Sequence, residues 1–240
     1  MNKLQIQTNA LIILSMLICL CACAQNDLGE VIIKEEQNLP PFSKININSL
    51  GNVELKIDDS GSIRIETHEE IINNIKYEVK DDELIVSYKS FRRNQNIRTL
   101  NITVSSVNYE KITLNNVAEI NVTDPVRTTN LEINQKDVGS IKLIEVTVDN
   151  LLLNQEDVGN IKIQSGSAIN GVLRQEGVGN INTFGVTYEN CKATLNDVGN
   201  IEVTVSALLE ASIRGVGNIL YKGDPEVSKS ISGTGNVIKK

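Results

Sequence analysis

The chain has 240 residues, the length of one large β or solenoid domain or two small ones, and its 40% hydrophobic and 22% charged content excludes extensive disorder. One histidine, His68, three Phe, five Tyr and no Trp leave no metal site with two histidine ligands, and a Ser-His-Asp or Cys-His mechanism has only His68 to use. A formal net charge of −7 provides no basic footprint for nucleic acid.

Residues 1–22 hold one cation, Lys3, and no acid, with an apolar run over residues 10–20 interrupted only by Ser15. That run is about half of what a membrane-spanning helix needs and fits the hydrophobic region of an export signal. It ends in Leu20-Cys21-Ala22-Cys23, which resembles a bacterial lipobox. The resemblance implies a lipidated Cys23 as first residue of the mature protein. The chain is then a cell-envelope lipoprotein, at the outer membrane, held by acyl chains at roughly 0.8 kcal/mol per buried CH₂. Ala22-Cys23-Ala24 is also a small-x-small site, and cleavage after Ala24 gives a periplasmic or secreted protein instead. Cys191 is the one cysteine left in the domain, so no disulfide framework is expected, and it reads as a small buried apolar residue. Residues 23–40 are polar, run into Pro40-Pro41 and read as a tether. The folded domain is expected over residues 41–240, with irregular early rungs at 41–125 and regular ones at 126–240.

Among the early rungs, Thr67-His68-Glu69-Glu70 has the form of a capping box, with Ile71, Ile72 and Ile75 as its buried side. It predicts one short helix over the lower end of the fold, with His68 at the surface in its first turn. Arg92 and Arg93, with Arg98 nearby, form the only basic cluster and follow Phe91 in a polar loop. They read either as a solvated loop or as a contact for an anionic glycan or lipid headgroup.

The decisive feature is a repeat. Asp137-Val138-Gly139-Ser140-Ile141 recurs as Asp157-Val158-Gly159-Asn160-Ile161, Gly177-Val178-Gly179-Asn180-Ile181 and Asp197-Val198-Gly199-Asn200-Ile201, then as Gly215-Val216-Gly217-Asn218-Ile219 and Gly233-Thr234-Gly235-Asn236-Val237. Asn116-Val117-Ala118-Glu119-Ile120 is a degenerate earlier copy, and Leu50-Gly51-Asn52-Val53 resembles another. The central glycines, Gly139, Gly159, Gly179, Gly199, Gly217 and Gly235, recur every 20 or 18 residues, a period that fits one coil of a solenoid. Between them the chain alternates apolar and polar residues with period two, as in Leu131-Glu132-Ile133-Asn134-Gln135, and is rich in Val, Ile and Thr. Each coil of 18–20 residues is expected to hold two strands of about five residues and two turns, stacked at about 4.8 Å. This is a parallel β-helix.

The columns follow from the stacking. Val138, Val158, Val178, Val198 and Val216, together with Ile141, Ile161, Ile181, Ile201 and Ile219, are expected to fill the interior, at about 1.5–3 kcal/mol for each buried side chain. The glycine between them marks a close approach or a conformation that a Cβ would block. Asn160, Asn180, Asn200, Asn218 and Asn236 are expected to stack as an amide ladder. Gln135, Gln155 and Gln175 are replaced further along by Leu195, Ile213 and Ile231, which places that column inward or at a corner.

The Gly-Val-Gly-Asn-Ile repeats resemble the head GIN domain of putative auto-transporter adhesins, a family of bacterial envelope proteins. The front half carries the resemblance too, in Phe42-Ser43-Lys44-Ile45, Gly51-Asn52-Val53-Glu54-Leu55, Ser62-Ile63-Arg64-Ile65-Glu66, Ile75-Lys76-Tyr77-Glu78-Val79, Leu84-Ile85-Val86 and Asn101-Ile102-Thr103-Val104. It spans residues 41–240 and implies an all-β, right-handed parallel β-helix with an export or lipoprotein signal. It offers no catalytic residue to carry over. Ser140 in place of Asn, Glu119 in the degenerate copy and Thr234 in place of Val depart from the pattern.

Asp137 and Asp157 should lie one rung apart. Such a pair can cap a turn, hold Ca²⁺, or serve as acid and base in sugar cleavage. The column Asp, Asp, Gly, Asp, Gly, Gly favours the turn. Tyr188 and Tyr221 offer a sugar-stacking face. The Gly-x-Gly motifs recur in every rung with no helix following, so they are not phosphate loops. The sequence therefore points to a non-enzymatic adhesin or surface-interaction module with no catalytic residue, cofactor or metal. Its ligand is a glycan or a protein, its membrane contact is the lipid anchor, and its oligomeric state is open. The alternatives are a polysaccharide-acting β-helix enzyme and a purely structural envelope lipoprotein.

Overall fold

A computed structural model describes residues 28–89 and 99–240. The signal segment with Cys23, and the cluster of Arg92, Arg93 and Arg98, lie outside these residues.

Strands account for nearly all of the fold. The early part comprises β1 (Val31–Gln37), β2 (Lys44–Asn48), β3 (Gly51–Ile57), β4 (Ser62–His68), α1 (Glu69–Ile72), β5 (Ile75–Lys80), β6 (Glu83–Tyr88) and β7 (Leu100–Ser106). The stack continues through β8 (Lys111–Asn115), β9 (Ala118–Val122), β10 (Val126–Gln135), β11 (Val138–Leu143), β12 (Val146–Gln155), β13 (Val158–Ile163) and β14 (Gly166–Gln175). It ends with β15 (Val178–Leu195), β16 (Val198–Ile213), β17 (Val216–Lys222), β18 (Glu226–Ile231) and β19 (Thr234–Lys239).

From β8 onward the chain is a parallel β-solenoid. Each residue pairs with its equivalent one period on: Val138 with Val158, then Val178, Val198 and Val216, and Ile141 with Ile161, Ile181, Ile201 and Ile219. The degenerate early copies share this register, since Gly51 pairs with Ala118 and Ala118 with Gly139. A full coil has three straight runs, not two. The strands β10, β12, β14 and β15 bend at Thr129, Asp149, Ile169 and Glu189, which drop out of the pairing and separate one straight run from the next.

The interior is a stack of branched side chains. Ile120, Ile141, Ile161, Ile181, Ile201 and Ile219 form one fully buried column. The valine column expected beside it is not there. Val138, Val158, Val178, Val198 and Val216 face outward and are 48–53% exposed. The strand pleat dictates this. Val138 and Ile141 stand three residues apart in one extended strand, so they point to opposite faces.

The glycine between them lies on the inner side, where space is short. A Cβ on Gly159 would sit 2.0 Å from the carbonyl oxygen of Gly139 and 2.8 Å from the Gln135 amide. Gln135, Gln155 and Gln175 are fully buried at this corner. Their amides bond two residues along the chain: Gln135 Nε2 donates to the Asp137 carbonyl at 2.9 Å and Gln175 Nε2 to that of Gly177 at 2.7 Å.

The early coils do not stack in chain order. β2 and β3 lie between two later coils, pairing in parallel with β6 and β7 on one side and with β8 and β9 on the other. Between them the chain makes an antiparallel excursion that covers the lower edge: β4 against β7, β5 against β6, and β1 against β4. Residues 31–37 therefore belong to the domain and not to a tether. As an exposed edge, β1 carries Lys34, Glu35 and Glu36, charges of the kind that discourage strand addition.

The short helix exists but is capped differently from the expectation. Thr67 is buried in β4 and donates its hydroxyl to the Thr99 carbonyl at 2.8 Å. His68 takes the N-cap position with no side-chain cap bond, half-buried, its Nδ1 3.1 Å from the Gly29 carbonyl oxygen.

Candidate functional site

The run formed by β11, β13, the start of β15 and β16, β17 and β19 presents three outward columns, because outward residues alternate with the buried isoleucines. The first is the valine column. The second is the amide ladder. Asn180 donates both its backbone N–H and its Nδ2 to Asn160 Oδ1, at 3.1 and 3.2 Å. Asn200 does the same to Asn180 at 3.0 and 3.1 Å, and Asn218 to Asn200 at 3.1 and 3.3 Å. Asn236 continues it through its backbone N–H, 3.2 Å from Asn218 Oδ1. Each side chain thus acts as a clamp between coils. Below Asn160 the ladder is interrupted by Ser140 and by Glu119, whose carboxylate binds Lys142 at 2.6 Å and is held below the usual carboxylate range by that contact. The third column runs Lys142, Lys162, Asn182, Glu202, Leu220 and Ile238.

A second amide ladder, absent from the sequence expectations, stands on another run. Asn150 Nδ2 donates to Asn130 Oδ1 at 2.9 Å and Asn170 Nδ2 to Asn150 Oδ1 at 3.0 Å. The 20-residue spacing of Asn130, Asn150 and Asn170 was the signal for it.

Asp137 and Asp157 are turn residues, with φ of 59° and 57°, in the same place as Gly177 with φ of 103°. This explains why Asp and Gly replace one another across these three coils. Their carboxylates reach back one coil to backbone donors: Asp137 Oδ2 accepts from Asn116 N–H at 2.9 Å, Asp157 Oδ2 from Asp137 N–H at 3.3 Å, and Asp197 Oδ2 from Gly177 N–H at 2.9 Å. Among the described residues no group of three or more His, Cys, Asp or Glu is placed to hold a metal ion.

Of the aromatic residues singled out for sugar stacking, Tyr188 is not available for it. Tyr188 is buried in the core, and Tyr221 is half-buried against it. Burial pushes the Tyr188 phenol well above its usual range. Cys191 is buried beside it, and desolvation raises its thiol to about 12, so it stays protonated and inert.

Among the described residues, two of the shallow surface grooves combine polar and apolar lining. One, of about 510 Å³, follows the bend in the coils and is lined by Thr147, Asp149, Ser167, Ile169, Thr187 and Glu189 among others. The other, of about 500 Å³, lies on the early coils, where Glu54, Arg64 and Glu66 meet Asn52, Asn101 and Asn121. There Glu54 is 3.6 Å from Lys56, and Glu66 is 4.0 Å from Arg64.

This geometry defines a class: a parallel β-solenoid whose patterned side-chain columns face solvent on a rigid frame. Residues 41–225 match the family described as putative auto-transporter adhesin, head GIN domain, and the chain belongs to that family. It is similar to a putative adhesin from Bacteroides fragilis, with 27% identity and a TM-score of 0.84 over 88% of this chain and 97% of that one. A putative lipid binding protein and a putative adhesin, from Parabacteroides distasonis and Parabacteroides merdae, share the fold. Their TM-scores are 0.73 and 0.66 and their identities 22% and 20%, each over 88% of this chain and 97% of the other. No curated protein matches the chain.

Proposed function

We propose that the chain is a non-enzymatic adhesin of the cell envelope. It is anchored by lipid on Cys23 and binds a surface ligand, a neutral glycan before a protein, in the groove along the bend of its coils. The observation that carries this is the groove's composition. Thr147, Ser167 and Thr187 stand in register on successive coils, with Asp149 and Glu189 as acceptors and Ile169 as an apolar contact. Hydroxyls and carboxylates spaced one coil apart suit the repeated hydroxyls of a sugar chain, and the net charge of −7 disfavours an anionic ligand. The family's name, which describes adhesins, supports the same reading. A glycan array probed with the chain carrying Cys23→Ala tests it. Binding should be abolished by Ser167→Arg, which fills the groove. An array with no bound glycan leaves a structural envelope protein as the better account.

A second reading, action on a polysaccharide, has one observation in its favour: Glu54, Arg64 and Glu66 share a groove. Release of reducing ends from a polysaccharide, lost on Glu54→Gln, would favour it over display.

A further inference from the structure

We infer that the valine and asparagine face is a self-association surface, on which a second copy of this chain packs with its solenoid axis reversed. The face is apolar where a lone solenoid has no use for it. Val138, Val158, Val178, Val198 and Val216 are half exposed in one straight column, and Val117, also exposed, extends it downward. From about 3.3 Å per residue and 4.8 Å per coil, six residues by six coils span roughly 600 Å² before side-chain relief is counted. A stable interface of ordinary size takes about 800 Å² from each partner.

Charge identifies the occupant and its orientation. In the third column the sign reverses about Asn182: Lys162 lies one coil below it and Glu202 one coil above. Among the described residues neither charge has an ion-pair partner, whereas Lys142 is held by Glu119. A two-fold axis along the strand direction through the coil of Val178, Asn180 and Asn182 keeps each column opposite itself and reverses the order of coils. Lys162 then faces the second copy's Glu202, and Glu202 faces its Lys162. Val158 meets Val198, and Val178 meets its own counterpart. The pairing is isologous and closes at two chains. At the margin, Asp157 and Asp197 come opposite each other. Their carboxylates are turned along the stack to the N–H groups of Asp137 and Gly177, and so away from the partner.

The inference is independent of the groove and its ligand, and its test separates the two. Light scattering over a dilution series, on the full chain carrying Cys23→Ala, should give the mass of two chains, dissociating on dilution. Lys162→Glu or Glu202→Lys creates two like-charge contacts per dimer and should weaken it roughly tenfold or more. The double variant, Lys162→Glu with Glu202→Lys, should restore it. Val178→Asp should give a monomer with an unchanged circular dichroism spectrum, since the side chain points to solvent. Ile169→Asp, in the ligand groove, should leave the mass unaltered. A monomer at every concentration overturns the inference, as does a dimer indifferent to Val178→Asp or a double reversal that fails to recover association.

Discussion

The ring of Tyr188 occupies the space that a side chain at position 171 would fill: a Cβ on Gly171 would lie 2.4 Å from its Cδ1 and 2.5 Å from its Cε1. Gly171 stands in a column with Leu131, Leu151 and Cys191, and Tyr188 in one with Val148, Ala168 and Val205. Two neighbouring coils have therefore traded side-chain size between two core positions. Gly171→Leu alone should destabilise by overpacking, about 1–3 kcal/mol or more, and Tyr188→Val alone by the cavity it leaves, about 2–4 kcal/mol. The double variant should recover most of the loss, and urea titrations of the four proteins measure the coupling. Additive losses would mean that the two positions do not compensate.

The two hydrophobic columns should respond oppositely. Ile181→Ala empties a fully buried site and should cost about 2–5 kcal/mol. Val178→Ala, half exposed, should change stability by no more than about 0.5 kcal/mol. Thermal melts of the two variants decide this, provided they are read at one protein concentration below that at which chains associate.

Along the asparagine ladder, the cost of removal should depend on position. Asn200→Ala removes the Nδ2 bond donated to Asn180 and the acceptor for two bonds from Asn218, whereas Asn236→Ala removes no side-chain bond to the coil below. The first should lose about 1–2 kcal/mol and the second a few tenths. Equal losses would show that the amides contribute no clamp between coils.

Stability should also fall at high pH through Cys191. The folded state holds the thiol proton up to about 12, against 9.0 for an ordinary thiol. The contribution is therefore complete below pH 9 and is lost as pH climbs from there towards 12, at about 1.4 kcal/mol per pH unit. Tyr188 and Tyr109 act in the same direction above pH 10 but are shared by both proteins when wild type is compared with Cys191→Ala. The variant should show the shallower decline between pH 9 and 10; parallel profiles would exclude the thiol as the cause.

The anchor is tested by detergent phase partition. Wild type expressed in its native envelope should enter the detergent phase, and Cys23→Ala should move it to the aqueous phase. Unchanged partitioning would leave cleavage after Ala24 as the better reading.

The solenoid was legible because its period is exact enough to count: equal spacing of Gly139, Gly159, Gly179 and Gly199 puts equivalent residues one above another, and the isoleucines went inward as expected. The outward turn of the valines was equally available, since an interval of three in a strand reverses the face. Other features depended on contacts that no local pattern records. Lys44 pairs with Lys111, with five strands between them in the chain, so nothing near either residue shows that β2 and β3 sit between later coils. The polar segment Lys34-Glu35-Glu36 read as linker because edge strands, too, favour charge. Tyr188 read as a surface ring because its place is created by the missing side chain of Gly171, a neighbour one coil away.

The out-of-order stacking of the early coils has a consequence for biogenesis. As the chain emerges from its amino end, β2 and β3 are preceded only by β1, yet one of their edges is covered only once β6 and β7 have followed, and the other only once β8 and β9, through Val122, have been made. The first coil synthesised is thus a template that waits, with at least one side open, for roughly a third of the domain. After that, each further coil needs only the one already in place, so assembly becomes vectorial: a slow, concerted base and then a column that grows one layer at a time.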